Sequence, residues 1–201
     1  MKHDVFAPWA ELVPDAPFPL HAQDLLTLPD DGWQYEIVEG RLVRMPGSGN
    51  AASSIAINLS TLLRNFAKPR KLGRVSGADG AYDLTLPGET LETALIPDVA
   101  FVRAGQLPAL NTPEASKIPH AAPDLVAEVA SPSQYRPEMA AKAQMYLDRG
   151  VALVWIIWPA RQEVDVWRPG APMVTLGKTD MLDGFDVAPG FTAPVSDLFE
   201  E

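Results

Sequence analysis

The sequence of 201 residues predicts an α/β fold, a mixed β-sheet flanked by helices, and three observations carry that prediction. Short apolar runs rich in β-branched residues, at 96–102, 125–130 and 151–158, read as buried strands rather than helix. Ahead of them, apolar residues at Ile55, Leu59, Leu62, Leu63 and Phe66 recur at helical spacing. Between the second and third runs, a helical stretch from about 137 to 149 turns residues 125–158 into a strand–helix–strand crossover. Strands that alternate with helices in this way belong to the α/β class.

The elements follow in order. Residues 1–20 carry Pro8, Pro14, Pro17 and Pro19 and are expected to form an extended arm. Residues 21–201 are expected to be one domain, since the length favours one over two. A short helix at 21–28 is ended by Pro29. Segments 33–38 and 41–45 alternate apolar and polar residues around Glu39-Gly40, the pattern of a β-hairpin. The loop Pro46-Gly47-Ser48-Gly49-Asn50 leads into a helix over 51–67. Strands are expected at 74–76, 81–86 and 96–102, with a turn at Pro87-Gly88. After a loop of proline and small residues at 104–123, the strand at 125–130 is broken by Ser131-Pro132-Ser133. Proline suits the first turn of the helix at 137–149, and Gly150 suits its C-terminal cap. The strand at 151–158 has a neighbour at 164–167, and the tail holds short strand-like pieces with a final turn at 195–199.

Composition excludes several classes. No run approaches the roughly 20 apolar residues that span a bilayer. Met1-Lys2-His3-Asp4 lacks the pattern of a secretory signal, so the cytoplasm is the expected compartment, without a membrane partner. The absence of cysteine excludes disulfides, thiolate zinc sites and cysteine nucleophiles. His3, His21 and His120 are scattered and form no histidine metal cluster in sequence. Gly47-Ser48-Gly49 lacks the lysine of a P-loop, there is no G-x-S-x-G elbow, and no organic cofactor is expected. The five tryptophans read as packing residues rather than base-stacking platforms. A net charge of −10 disfavours non-specific attraction to nucleic acid. One stretch runs against that balance: Arg64, Lys68, Arg70, Lys71 and Arg74, with no acid among them. It reads either as a helix end whose cations complement the dipole or as a phosphate-contacting patch.

Two acidic residues stand at buried strands. Asp98 follows Pro97 at the entrance of its strand, and Glu128 lies near the far end of the next apolar one. If those strands are antiparallel neighbours, both carboxylates meet at one end of the sheet. An isolated buried carboxylate is costly, and a pair of them suits a hard cation such as Mg²⁺ or Mn²⁺. The plainer reading is two strand-end carboxylates satisfied by neighbouring amides. Lys142 follows Met139 by three residues and precedes Tyr146 by four, which puts it on the rim of the buried face of its helix. From there its ammonium reaches either toward the carboxylates or, with its stem on the core, into water.

Four segments together carry a resemblance. They are Tyr35-Glu36-Ile37-Val38-Glu39-Gly40, Pro97-Asp98, Val126-Ala127-Glu128-Val129-Ala130-Ser131-Pro132-Ser133, and Lys142 with Tyr146 and Gly150-Val151. In this order they resemble the Uma-type restriction endonuclease family, a branch similar to the PD-(D/E)XK nuclease superfamily. The resemblance runs from about Asp24 to Trp167. It implies a restriction-endonuclease-like core with metal carboxylates at Asp98 and Glu128. The superfamily's lysine usually stands two residues after the second carboxylate, where this chain has Ala130; the family's lysine on the next helix corresponds to Lys142. Glu36 is similar to a further acidic position of the family, as a third ligand or a structural partner. The chain departs from the family at Ala52, where histidine is common, and at Trp158, where an acid often precedes the proline.

The expected function is therefore Mg²⁺-dependent hydrolysis of DNA phosphodiesters. Asp98 and Glu128 would bind the metal, Lys142 would stabilise developing charge, and Glu36 would complete the site. Two rivals remain: a nuclease-fold protein that binds nucleic acid or a partner without cutting, and a structural homodimer without a metal site. A homodimer is also expected of an enzyme that cuts both strands.

Overall fold

The computed structural model describes residues 6–200. Its strands are β1 (Glu11–Leu12), β2 (Trp33–Val38), β3 (Arg41–Pro46), β4 (Gly73–Gly77), β5 (Tyr82–Asp83), β6 (Ala94–Leu95), β7 (Val99–Arg103), β8 (Leu125–Val129), β9 (Leu153–Trp158), β10 (Glu163–Trp167), β11 (Val174–Leu176), β12 (Met181–Asp183) and β13 (Thr192–Pro194). Two α-helices, α1 (Asn50–Arg70) and α2 (Arg136–Asp148), lie among them, with short 3₁₀ turns between.

The strands form a six-stranded sheet in the order β11-β10-β9-β8-β7-β4, a five-stranded sheet in the order β1-β3-β2-β6-β5, and the small pair β12-β13. In the six-stranded sheet β8 and β9 are parallel, joined by α2 as a crossover, while every other pairing is antiparallel. The sheet is thus mixed, with helices packed against it, as the sequence predicts.

Alternation along the strands decides what each face meets. Val99, Phe101, Leu125, Ala127 and Trp155 pack with Leu59 and Leu63 of α1. The intervening residues, Ala100, Val102, Val126, Val154 and Ile156, pack with Met139, Ala143 and Tyr146 of α2 and with Val38 and Val43 of the hairpin. The central sheet is therefore covered on both faces, which is why its strands read as continuous apolar runs. The β2–β3 hairpin closes through Glu39 and Gly40, with φ of 48° and 72°. Both values are left-handed, as a two-residue turn of the favoured hand requires.

Several boundaries differ from the sequence reading. The strand expected at 81–86 contracts to Tyr82–Asp83, and its partner Ala94–Leu95 is too short to leave a periodic signal. Helix α1 extends to Arg70 and includes Pro69, which falls within its last turn. Residues 1–5 of the expected arm lie outside the described residues; of the rest, Glu11–Leu12 pairs with β3, and Trp9 and Leu20 are buried. Among the described residues no helix is long and apolar enough to cross a membrane.

Candidate active site

Strand parity brings three acids into one layer. Asp98 stands one residue before β7, in phase with Ala100 and Val102; Glu128 is in phase with Val126 on β8. Both side chains therefore face α2 and the hairpin. Since β7 and β8 are antiparallel, with Val99 opposite Ala127, the two carboxylates reach the same sheet end. Glu36, in phase with Val38 on β2, enters that layer from the other sheet. The Val129 amide donates to Asp98 Oδ2 at 2.7 Å, and the Ile96 amide donates to Glu36 Oε1 at 3.1 Å.

Lys142 closes the cluster. Its Nζ lies 2.9 Å from Glu128 Oε1 and 3.0 Å from Glu36 Oε1. The rim position read from the sequence needs correction, because the residue is only 2% exposed. Met139, Lys142, Ala143 and Tyr146 form a single buried stripe of α2, so the lysine stands within the face rather than at its edge. Tyr146 donates its hydroxyl to Glu128 Oε1 at 2.6 Å. The indole N–H of Trp9, from the N-terminal arm, donates to Glu36 Oε2 at 3.1 Å.

Three buried carboxylates against one ammonium leave two excess negative charges if all ionise. Burial, reinforced by Asp98 and Glu36 and opposed by Lys142, pushes the Glu128 pKa up to about 8 from 4.5. Burial also raises Asp98, against the Val129 amide and the Lys142 charge. Burial works against the Lys142 ammonium, yet Glu128 and Glu36 hold its pKa above the ordinary 10.5. A carboxyl whose folded pKa is raised binds its proton more tightly in the folded state, so its contribution is complete below about pH 4.5 and gone above about pH 8. The metal-free protein is expected to lose urea stability as pH rises across that window. A flat profile there would contradict a protonated Glu128.

Asp98, Glu128 and Lys142 of this cluster line a cleft of about 900 Å³, with Glu36 and Tyr146 behind them. The loop at 47–49 and the first turn of α1 line one part of it, residues 131–136 and Trp158 line another, and residues 8–11 of the arm lie against it. Ala52 also lines the cleft. Trp158 is held by a network absent from the sequence reading: its indole N–H donates to Asp165 at 2.8 Å, and Arg136 grips both oxygens of Asp165 at 2.7 Å and also pairs with Glu163. The available signal was the pair of acids alternating along β10. Tyr146 was equally legible as the residue one turn beyond Lys142.

The donor set fits a hard cation. The Val129 amide takes Asp98 Oδ2, and Tyr146 and Lys142 take Glu128 Oε1; the Ser48 hydroxyl is a further hydrogen-bonding neighbour of Asp98. Among the described residues no three or more of His, Cys, Asp and Glu converge as a protein cage would. Mg²⁺ does not require such a cage; one or two carboxylates, waters and substrate phosphate oxygens make up its shell.

The basic residues do not join this site. Lys68, Arg70 and Lys71 stand at the C-terminal end of α1, about 30 Å along a helix of 21 residues from the turn that lines the cleft. There Arg70 donates to the Phe66 carbonyl and stacks on its ring, and Arg74 donates to the Pro108 carbonyl.

Comparison with known proteins places the chain. The Uma2 family model, described as "Putative restriction endonuclease", matches residues 22–196. A crystal structure of a "putative nuclease belonging to DUF820" from Anabaena variabilis superposes with a TM-score of 0.71 at 22% identity, over 90% of this chain and 98% of that one. At that identity the likeness shows the fold. No curated protein matches the chain.

Proposed function

The chain belongs to the Uma2 family, and from that premise we propose that it is a metal-dependent nuclease hydrolysing phosphodiester bonds of DNA. The observation that carries this reading is the convergence of Asp98, Glu128 and Lys142 on the floor of one cleft. Asp98 and Glu128 would hold Mg²⁺ or Mn²⁺ through their carboxylate oxygens. When bound, such an ion supplies an activated water and neutralises charge on the phosphoryl group. Lys142 keeps an ammonium at the cleft floor in a desolvated setting, where it stabilises developing negative charge more strongly than in water. Glu36, bonded to Trp9, Ile96 and Lys142, orients that ammonium and has no free oxygen for a metal. The N-terminus of α1, with no side-chain cap and no acid in its first turn, lines the same cleft, where a helix N-terminus would favour phosphate. In this reading residues 21–201 form the catalytic domain with 1–20 as its arm, acting in the cytoplasm as a two-fold dimer.

A second reading has a specific observation behind it. Glu128 is already engaged by Lys142 and Tyr146, and the cluster can balance its charge with protons. A nuclease-fold protein that binds nucleic acid or a partner without cutting needs only the family and fold, which the comparisons do supply. Thermal melting with Mn²⁺, run beside cleavage of plasmid DNA, separates the two. The first reading expects Mn²⁺ to raise the melting temperature of the wild type but not of Asp98→Asn, together with nicking that depends on the metal. Equal shifts in both proteins, or no nicking at any metal concentration, would favour the second.

A further inference from the structure

We propose that this cleft admits nucleic acid whose bases are unpaired, a single strand or a nucleotide drawn out of a duplex, and excludes continuous duplex. The inference rests on reading the cleft as a phosphodiester site and adds the class of substrate.

Size is the first argument. Asp98 and Glu128 are 7% and 6% exposed. A cavity of about 900 Å³ is about 12 Å across if equally wide in all directions, no wider than the roughly 12 Å major groove of B-form DNA and therefore narrower than the whole duplex that carries the groove. A duplex phosphodiester cannot reach that floor without its strand leaving the helix, whereas an unpaired nucleotide can enter. The cover is part of the fold as well: β1 pairs with β3, and the Trp9 indole is bonded to buried Glu36.

Charge is the second argument. Duplex binding draws its affinity from many phosphate contacts. Of the cations lining this cleft, Lys142 is paired with Glu36 and Glu128, Arg44 with Glu11, and Arg136 with Glu163 and Asp165; Arg161 is exposed. Of the basic stretch, Arg64, Lys68, Arg70 and Lys71 lie on the C-terminal part of α1 or its cap and Arg74 on β4, and none of them lines the cleft. Few phosphates can be tracked.

Aromatic placement is the third. Trp9, Trp155, Trp158, Tyr82 and Tyr146 are all buried, but Trp33 and Tyr135, which line the cleft, are 37% and 68% exposed. The Arg44 guanidinium stacks 4.3 Å from the Trp33 ring centroid. Exposed rings beside a few cations are what unpaired bases stack on. In this proposal Trp33 stacks on a base, a role added to the packing role read for the tryptophans in the sequence.

Fluorescence anisotropy on the Asp98→Asn protein, repeated with Glu128→Gln in case the first variant folds poorly, tests the idea without cleavage. One labelled oligonucleotide is offered single-stranded and annealed into a blunt duplex. The expected result is at least about tenfold tighter binding of the single strand, weakened about tenfold by Trp33→Ala or Tyr135→Ala, with a shallow salt dependence. Equal or tighter duplex binding, no binding of either form, or indifference to both aromatic substitutions overturns the proposal. Wild-type cleavage, assayed separately, tells the two readings apart. Single-strand-selective binding without cleavage removes hydrolysis and leaves this inference; duplex cleavage without single-strand preference does the reverse.

Discussion

Lys142→Ala is expected to destabilise the protein by about 3–5 kcal/mol, the scale for removing one partner of a buried ion pair. The cause is electrostatic more than steric. Removing the ammonium leaves Glu36 and Glu128, at 0% and 6% exposure, without the cation that both contact. Urea unfolding of wild type and variant at neutral pH measures the loss. Replacing the abandoned acids should restore much of it: Lys142→Met combined with Glu36→Gln and Glu128→Gln leaves no ionisable group at any of the three positions, and such replacements are often neutral or stabilising. A loss near 1 kcal/mol, appropriate to a lysine on a helix rim, would mean that the ammonium is solvated after all. If the nuclease reading holds, Lys142→Ala also lowers cleavage by about 10²-fold or more.

Glu128→Gln should move stability and activity in opposite directions. The glutamine keeps the shape of the side chain and can still accept from Tyr146, but carries no charge to desolvate. The metal-free variant should therefore be more stable than wild type at about pH 9, where the wild-type carboxylate is ionised, and should lose the pH dependence of the parent between pH 4.5 and about 8. Metal-dependent cleavage should fall by at least about 10²-fold, and the thermal shift with Mn²⁺ should vanish. Functional sites commonly carry such a cost to stability. A variant less stable than wild type at high pH, yet still responsive to Mn²⁺, would remove Glu128 from the metal site.

The central sheet was legible because burial on both faces leaves long apolar runs, α1 because its apolar residues recur at helical spacing, and α2 because Pro137 and Gly150 mark its two ends. Asp98 and Glu128 stood out because a carboxylate in such a run is improbable without a partner. Their meeting depended on antiparallel pairing of β7 and β8, which the sequence could pose only as a condition. Lys142 was placed on a rim because helical spacing shows which residues share a face, but not how far a second sheet folds over it. Glu36 comes from that second sheet, and the strand that pairs with β2 beside it, β6, is two residues long. Trp9 was missed because a proline-rich arm has no periodicity, and its partner is 27 residues away.

Lys142 has a mechanical consequence as well. Its ammonium joins Glu36 on the five-stranded sheet to Glu128 on the six-stranded one, from a helix that belongs to neither. If either sheet peeled away alone, it would strand the lysine against a single acid and leave the other acid without its counter-charge in an apolar layer. Partial opening is therefore penalised from both sides, and the intermediate in which one sheet survives the other is the least favourable state. The two sheets are expected to melt together, and the residue proposed to serve chemistry also acts as the rivet that makes unfolding cooperative.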